Sequence, residues 1–236
     1  MKDKIIVGLD VGTRDEALRL CELLADHVGA IKIGLQLLHA AGSQIIDEIQ
    51  NTTGARLFID AKLHDIPNTV AGASQALGAK GVWMFNVHAA GGREMMRKAK
   101  EAAQQAAASV NKQTPLVIAV TVLTSIDDEV LANDLGIHMH AADWVVALAQ
   151  VSKASGMDGV VASPKEIAAV RHACGDDFLI ITPGVRPLWA DANDQKRVLT
   201  PKEAIALGAN YIVISRPIIK ADDPVDAAKR IADEIA

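Results

Sequence analysis

The sequence predicts an α/β fold closed as a (β/α)8 barrel, the TIM-barrel class, in a single domain over 1–236. Three observations carry this expectation. Short apolar runs alternate with amphipathic segments from end to end, giving eight strand–helix units in 236 residues. Several strand runs, such as Leu116-Val117-Ile118-Ala119-Val120 and Tyr211-Ile212-Val213-Ile214, are apolar throughout rather than alternating, as in parallel sheets whose strands are buried on both faces. Finally, Gly8-Leu9-Asp10-Val11-Gly12 lacks the glycine spacing of a dinucleotide-binding turn, which counts against an open doubly wound sheet.

The units follow in order. The first strand, 4–10, ends in Asp10, and the helical pattern over 14–26 contains Cys21. The strand 30–34 reads Ala30-Ile31-Lys32-Ile33-Gly34 and leads into a helix near 36–50. The third strand, 55–60, is interrupted by Arg56; the helix near 67–79 begins at Pro67, a residue suited to the first helical turn. A strand at 81–88 precedes a helix at 92–108, a strand at 115–122 precedes a helix at 141–155, and 158–162 precedes 164–173. The seventh strand, 178–182, is followed by a polar stretch, 183–199, longer than the roughly two to six residues usual for such loops. The helix 200–207, the strand 210–215 and the helix 222–235 form the last elements.

Composition narrows the function classes. Half of the residues are apolar, but three Phe, three Trp and one Tyr leave the core to Ala, Ile, Leu and Val. Lys and Arg number 24 against 29 Asp and Glu, a net charge of −5. No nucleic-acid partner is expected, since such surfaces carry a basic excess, but a local basic pocket can still take an anionic small molecule. Cys21 and Cys174 have no metal- or redox-type partner nearby in sequence, which fits a reducing, cytoplasmic compartment. The apolar run before Asp10 is too short for a signal peptide, and no stretch reaches the roughly 18 apolar residues of a membrane span.

The polar residues then fall into a pattern. Asp10, Lys32, Asp60, Lys62, His88, Thr121, Thr182 and Ser215 all lie within or at the ends of the strand runs, and the C-terminal strand ends of a barrel carry the active site. The segment Phe58-Ile59-Asp60-Ala61-Lys62-Leu63-His64-Asp65 is the most informative. On an extended strand Asp60 and Lys62, two apart, point to the same side, and Asp65 follows after a turn. Alternating charges at the end of a buried strand are costly to desolvate unless they neutralise one another. They form either a structural ion-pair cluster or a chemical site. Lys32, inside a five-residue apolar run, needs a counter-charge or must snorkel to the barrel rim; Asp10 on the adjoining strand is the nearest candidate.

After strand seven comes Thr182-Pro183-Gly184-Val185-Arg186-Pro187, and after strand eight Ser215-Arg216-Pro217. These are the loops where many barrels bind phosphate. Arg216 offers a guanidinium fork to phosphate oxygens, or is an ordinary surface arginine. The loop 183–199 reads as a phosphate-side lid that closes on ligand, or as an insertion; within it Gln195 can both donate and accept hydrogen bonds. Thr124 and Ser125 could read an amide-like ring edge or cap a following helix. His88 is more often a hydrogen-bonded structural histidine than a catalyst. No clustered Cys/His spacing suggests a metal, and no nucleophile-elbow motif is present.

Together these residues resemble the orotidine 5′-phosphate decarboxylase family over the whole chain. The matching pieces are Leu9-Asp10, Lys32-Ile33-Gly34, Asp60-Ala61-Lys62-Leu63-His64-Asp65-Ile66-Pro67-Asn68-Thr69, Asn86-Val87-His88, Leu123-Thr124-Ser125, Thr182-Pro183-Gly184-Val185-Arg186 and Ser215-Arg216-Pro217. The resemblance implies decarboxylation of orotidine 5′-phosphate to uridine 5′-phosphate in pyrimidine synthesis, without cofactor or metal. It implies catalytic roles for Lys62, the proton donor, and for Asp60, Asp65 and Lys32. It also implies a homodimer in which Asp65 and Thr69 enter the neighbouring site. Substrate contacts are implied for Asp10, Lys32, Asp60, Thr69, Thr124, Ser125, Pro183, Arg186, Gln195, Ser215 and Arg216. Ser215 departs from the family's usual glycine, so it either crowds the phosphate or adds a hydrogen bond. Two rivals share the barrel: a Mg²⁺-dependent sugar-phosphate decarboxylase or aldol-type synthase, and a non-catalytic nucleotide-phosphate binder. Against the first, Lys32 stands where those relatives carry a metal-binding glutamate.

Overall fold

The computed structural model describes residues 1–190 and 199–236. Gln195 and the rest of 191–198 in the 183–199 loop therefore lie outside the described residues. After a 3-10 turn at Lys2–Lys4, eight parallel strands close a barrel in sequence order: β1 (Ile5–Leu9), β2 (Ala30–Gly34), β3 (Leu57–Leu63), β4 (Met84–His88), β5 (Leu116–Val120), β6 (Gly159–Val161), β7 (Leu179–Pro183) and β8 (Tyr211–Ile214). β8 pairs with β1, with Ile212 opposite Ile5. Around them run α1 (Arg14–Leu24), α2 (Leu35–Ala41), α3 (Gln44–Thr53), α4 (Pro67–Lys80), α5 (Gly92–Ser109), α6 (Asp128–Asn133), α7 (Ala141–Ala154), α8 (Ile167–Cys174), α9 (Pro201–Ala206), α10 (Arg216–Ile219) and α11 (Pro224–Glu234).

The burial pattern explains why the strand runs are apolar on both faces. Side chains alternate in direction along a strand. One set fills the barrel interior, with Ile6, Ala30, Phe58, Met84, Ile118 and Ile181 as its buried members. The other set, including Ile5, Val7, Ile31, Ile33, Phe85 and Val117, packs outward against the helices. Further toward the C-terminal ends, the inward positions of β2 to β4 change to Lys32, Asp60 and Asn86, so the packed interior stops and a polar mouth begins.

Several boundaries differ from the sequence expectation. The helix expected over 36–50 is two helices, α2 and α3, because Gly42 takes φ +72 and ends the first. The third strand runs on to Leu63 instead of stopping at Asp60, and it carries a register shift between Ile59 and Leu63. The helix expected over 164–173 begins as a 3-10 turn, Pro164–Glu166, with a Ser163–Glu166 capping box, and continues as α8. The sequence reading predicts neither of the short helices α6 and α10. α4 begins at Pro67, as the sequence indicates. Among the described residues no helix is long and apolar enough to cross a membrane.

Candidate active site

The site forms where β1 to β3 end. Lys32 is 8% exposed, and its Nζ lies 3.2 Å from Asp10 Oδ1 and 3.4 Å from Asp60 Oδ2. It therefore has the counter-charge expected in Asp10 and a second one in Asp60, and it does not snorkel. Two glycines make room for it. A Cβ on Gly8 would come within 2.9 Å of Lys32 Cε, and one on Gly34 within 3.1 Å of its Nζ.

Asp60 is the hub. Its Oδ1 accepts from Lys62 Nζ at 2.7 Å and from Asn86 Nδ2 at 2.7 Å. Burial alone would raise the Asp60 pKa, but the charges of Lys32 and Lys62 and the donors from Lys62 and Asn86 outweigh it and hold the carboxyl below the ordinary value of 3.8. Asp60 and Lys62 converge as expected, although for a different reason. β3 bulges after Ile59, and Lys62 takes φ +49, so two-residue alternation does not set its direction. Asn86, buried and bonded to both Asp60 and the Lys62 backbone N–H, has no site role in the sequence reading. The available signal was a single amide inside the apolar run Trp83–Val87.

His88 sits at the end of β4, its ring 5.3 Å from that of His64. Burial pushes its pKa below 6.5, with the charges of His64 and Lys62 acting the same way and Asp60 opposing them.

Across the mouth, β7 and β8 supply the rest. A cavity of about 350 Å³ is lined by Asp10, Lys32, Asp60 and Lys62 on one side and by Pro183, Arg186, Ser215 and Arg216 on the other, with Thr124 at its edge. Arg216 is exposed and lines this cavity. Arg186 N donates to Leu199 O at 3.1 Å and closes the stem of the long loop. Ser215 Oγ donates to Gly8 O at 2.7 Å, tying the β8 end to β1 across the barrel seam.

Three predicted residues do not line this chain's own cavity: Ser125, Asp65 and Thr69. All three are exposed, and Asp65 Oδ1 accepts from Ile66 N at 2.6 Å. The helix-cap reading of Thr124 and Ser125 does not hold, because the Asp127 side chain caps α6 by accepting from Val130 N. Thr121 and Thr182 are also outside the cavity. Thr121 Oγ1 donates to Val161 O, and Thr182, between the inward Ile181 and Pro183, is buried with no hydroxyl partner among the described residues.

A closed barrel with one buried and one half-buried lysine interleaved with aspartates, facing two arginines across one cavity, defines an enzyme of the TIM-barrel class with a site suited to a small anionic molecule. The family model described as "Orotidine 5'-phosphate decarboxylase / HUMPS family" matches residues 3–231. The orotidine 5'-phosphate decarboxylase of Syntrophomonas wolfei subsp. wolfei is 50% identical over 235 residues, covering 99% of this chain and 98% of that relative. That of Heliobacterium modesticaldum is 48% identical, covering 100% and 96%. Among solved structures, orotidine 5'-phosphate decarboxylase from Lactobacillus acidophilus superposes with a TM-score of 0.87 at 38% identity, covering 98% of each chain. The chain belongs to the orotidine 5'-phosphate decarboxylase / HUMPS family.

Proposed function

We propose that this chain decarboxylates orotidine 5′-phosphate to uridine 5′-phosphate, the last step of pyrimidine nucleotide synthesis, with Lys62 as proton donor. One observation carries the mechanism: the Lys62 ammonium stands in the cavity, 2.7 Å from a carboxylate whose other oxygen lies 3.4 Å from Lys32. Breaking the bond between the ring carbon and the carboxylate leaves an electron pair with little delocalisation. A fixed cation stabilises that charge and then delivers a proton to the same carbon. Asp60 faces the departing carboxylate, and their repulsion is relieved as CO₂ forms. At about 4 Å and an effective dielectric near 20, such a pair interacts by about 4 kcal/mol.

In this reading Asp10 and Lys32 hold the ribose hydroxyls, while Thr124 and Ser125 read the pyrimidine. Arg186, Gln195 and Arg216 hold the phosphate beside Pro183 and Ser215. Binding energy from the phosphate, gained as the 183–199 loop closes, helps assemble the reacting geometry. The active form is a homodimer in which Asp65 and Thr69 enter the partner's site, with Asp65 keeping that Lys62 charged and aimed. This is supported by the exposure of both residues outside their own cavity and by Ile66 beside them, which is 67% exposed. The unpaired thiols of Cys21 and Cys174 suit the cytoplasm.

The Mg²⁺-dependent reading is not favoured, because the Lys32 ammonium between Asp10 and Asp60 repels a divalent ion. The deciding experiment is an ultraviolet assay of purified protein with orotidine 5′-phosphate in excess chelator. Turnover unchanged by chelation is expected. Loss of turnover restored by Mg²⁺ would favour the metal-dependent rival, and product binding without turnover would favour a binder.

A further inference from the structure

Asn86 is a buried polar side chain that the chemistry above leaves without a role. β3 and β4 pair at Phe58 with Met84 and Ile59 with Phe85, and then again at Leu63 with Val87. Three residues of β3, 60–62, therefore face the single residue 86, and a regular ladder cannot cross that mismatch. The Asn86 side chain spans the gap. Its Oδ1 accepts the Lys62 backbone N–H at 2.7 Å, and its Nδ2 donates to Asp60 Oδ1 at 2.7 Å. The same aspartate oxygen accepts from Lys62 Nζ at 2.7 Å, so the contacts form a closed ring that begins and ends on Lys62. Lys62 also takes φ +49, a left-handed conformation disfavoured for any side chain with a Cβ. Such a conformation persists only where its surroundings fix it.

We propose that Asn86 is the positioning residue of this site: its carboxamide holds Lys62 in the left-handed bulge and aims the ammonium at Asp60. The proposal deepens the decarboxylase reading and rests on it for its kinetic test. The chemistry needs one acceptor and one donor in a single planar group. Asparagine supplies both, leucine neither, and an ionised aspartate only acceptors. A protonated aspartic acid supplies both again, through its carbonyl oxygen and its hydroxyl. Asn86→Asp therefore converts the positioning function into a titratable one. The groups around the position are Asp60 and Lys62 on β3, Lys32 on β2, Asp10 after β1, and the His64–His88 pair. A second carboxyl against Asp60 shares a proton with it and titrates above the ordinary carboxylate range.

The test measures kcat and KM for orotidine 5′-phosphate, with uridine 5′-phosphate affinity and thermal unfolding, in the unaltered protein, Asn86→Leu and Asn86→Asp between pH 5 and 9. Asn86→Leu is expected to lose at least about tenfold in kcat at every pH, as when a hydrogen bond to a charged group is removed, with product affinity within about twofold. Asn86→Asp is expected to be equally impaired at pH 8 and to recover most of its kcat, relative to the unaltered protein, by pH 5. A simple loss of fold stability produces no such recovery on acidification. Near-native kcat in Asn86→Leu, or a flat ratio for Asn86→Asp, overturns the proposal. If the unaltered protein shows no turnover, the decarboxylase reading fails. Asn86 is then judged by hydrogen exchange of the Lys62 amide, as it is if neither variant folds. That amide is expected to be protected in the unaltered protein although it lies outside the regular ladder, and free exchange there overturns the assignment.

Discussion

Replacing Lys32 by Met removes the ammonium between Asp10 and Asp60 and keeps an unbranched chain of similar length in the space left by Gly8 and Gly34. At 3.4 Å and an effective dielectric near 20, the Lys32–Asp60 attraction alone is about 5 kcal/mol. Part of this is offset, because the buried ammonium is no longer desolvated. A net loss of roughly 3 kcal/mol is expected, the lower end of what breaking a buried pair costs. For a domain of this size that lowers the melting temperature by roughly 6–12 °C.

The loss must also depend on pH. Asp60 has a folded-state pKa below its ordinary value of 3.8, so its contribution is complete above that value and disappears as pH falls through the folded pKa. Without Lys32, burial pushes the Asp60 pKa back up. Protonation then relieves the variant at a pH where the unaltered protein still depends on the charge. The stability gap, read from urea unfolding of both proteins between pH 7 and pH 4, is expected to be widest at pH 7 and to narrow toward pH 4. A gap below about 0.5 kcal/mol at pH 7, the usual scale of surface substitutions, would refute the electrostatic account. So would a large gap that does not change with pH.

Four other outcomes follow from the same geometry. Lys62→Ala should lower kcat by at least about 10³-fold while uridine 5′-phosphate still binds, and near-native turnover would remove the proton-donor assignment. Arg216→Ala should lower kcat/KM roughly 10- to 100-fold, with most of the loss restored by phosphite dianion; absence of rescue would mean that Arg216 does not contact phosphate. Mixing inactive Lys62→Ala and Asp65→Ala proteins should restore about a quarter of native activity, because random exchange makes half the dimers mixed and each mixed dimer carries one intact site; no recovery after verified exchange counts against the shared site. Because burial holds the His88 pKa below 6.5, its proton binds the unfolded chain preferentially, so stability should decline as pH falls below about 6.5 and His88→Asn should flatten that decline; parallel unfolding curves for the two proteins would exclude it.

Much of this site is readable in the amino-acid order. Asp60, Lys62 and Asp65 stand out because charges at the end of an apolar strand have no folding rationale of their own, and Lys32 stands out in the same way inside β2. Pro67 marks the start of α4. Asn86 was harder to read, because one amide in an apolar run says nothing about what it bonds until the bulge opposite it is known. The direction of Lys62 was also inaccessible, since the two-residue rule holds only in a regular strand and β3 is irregular at that point. Ser215 left two readings in the sequence. The geometry adds a partner that neither reading named, a carbonyl 207 positions away to which its hydroxyl donates.

By itself the sequence determined the eight alternating units, the aliphatic core, the strand ends that carry charge, and the family the chain belongs to. These are local or periodic properties, written in the spacing of apolar and polar residues. The tertiary structure alone decided that Asp60 lies between two ammonium groups, that glycines on β1 and β2 open the space for Lys32, and that the Asn86 side chain accepts the Lys62 backbone N–H. Those facts depend on strand register and barrel closure, which bring distant residues within bonding distance, and no periodicity in one segment encodes the register of another.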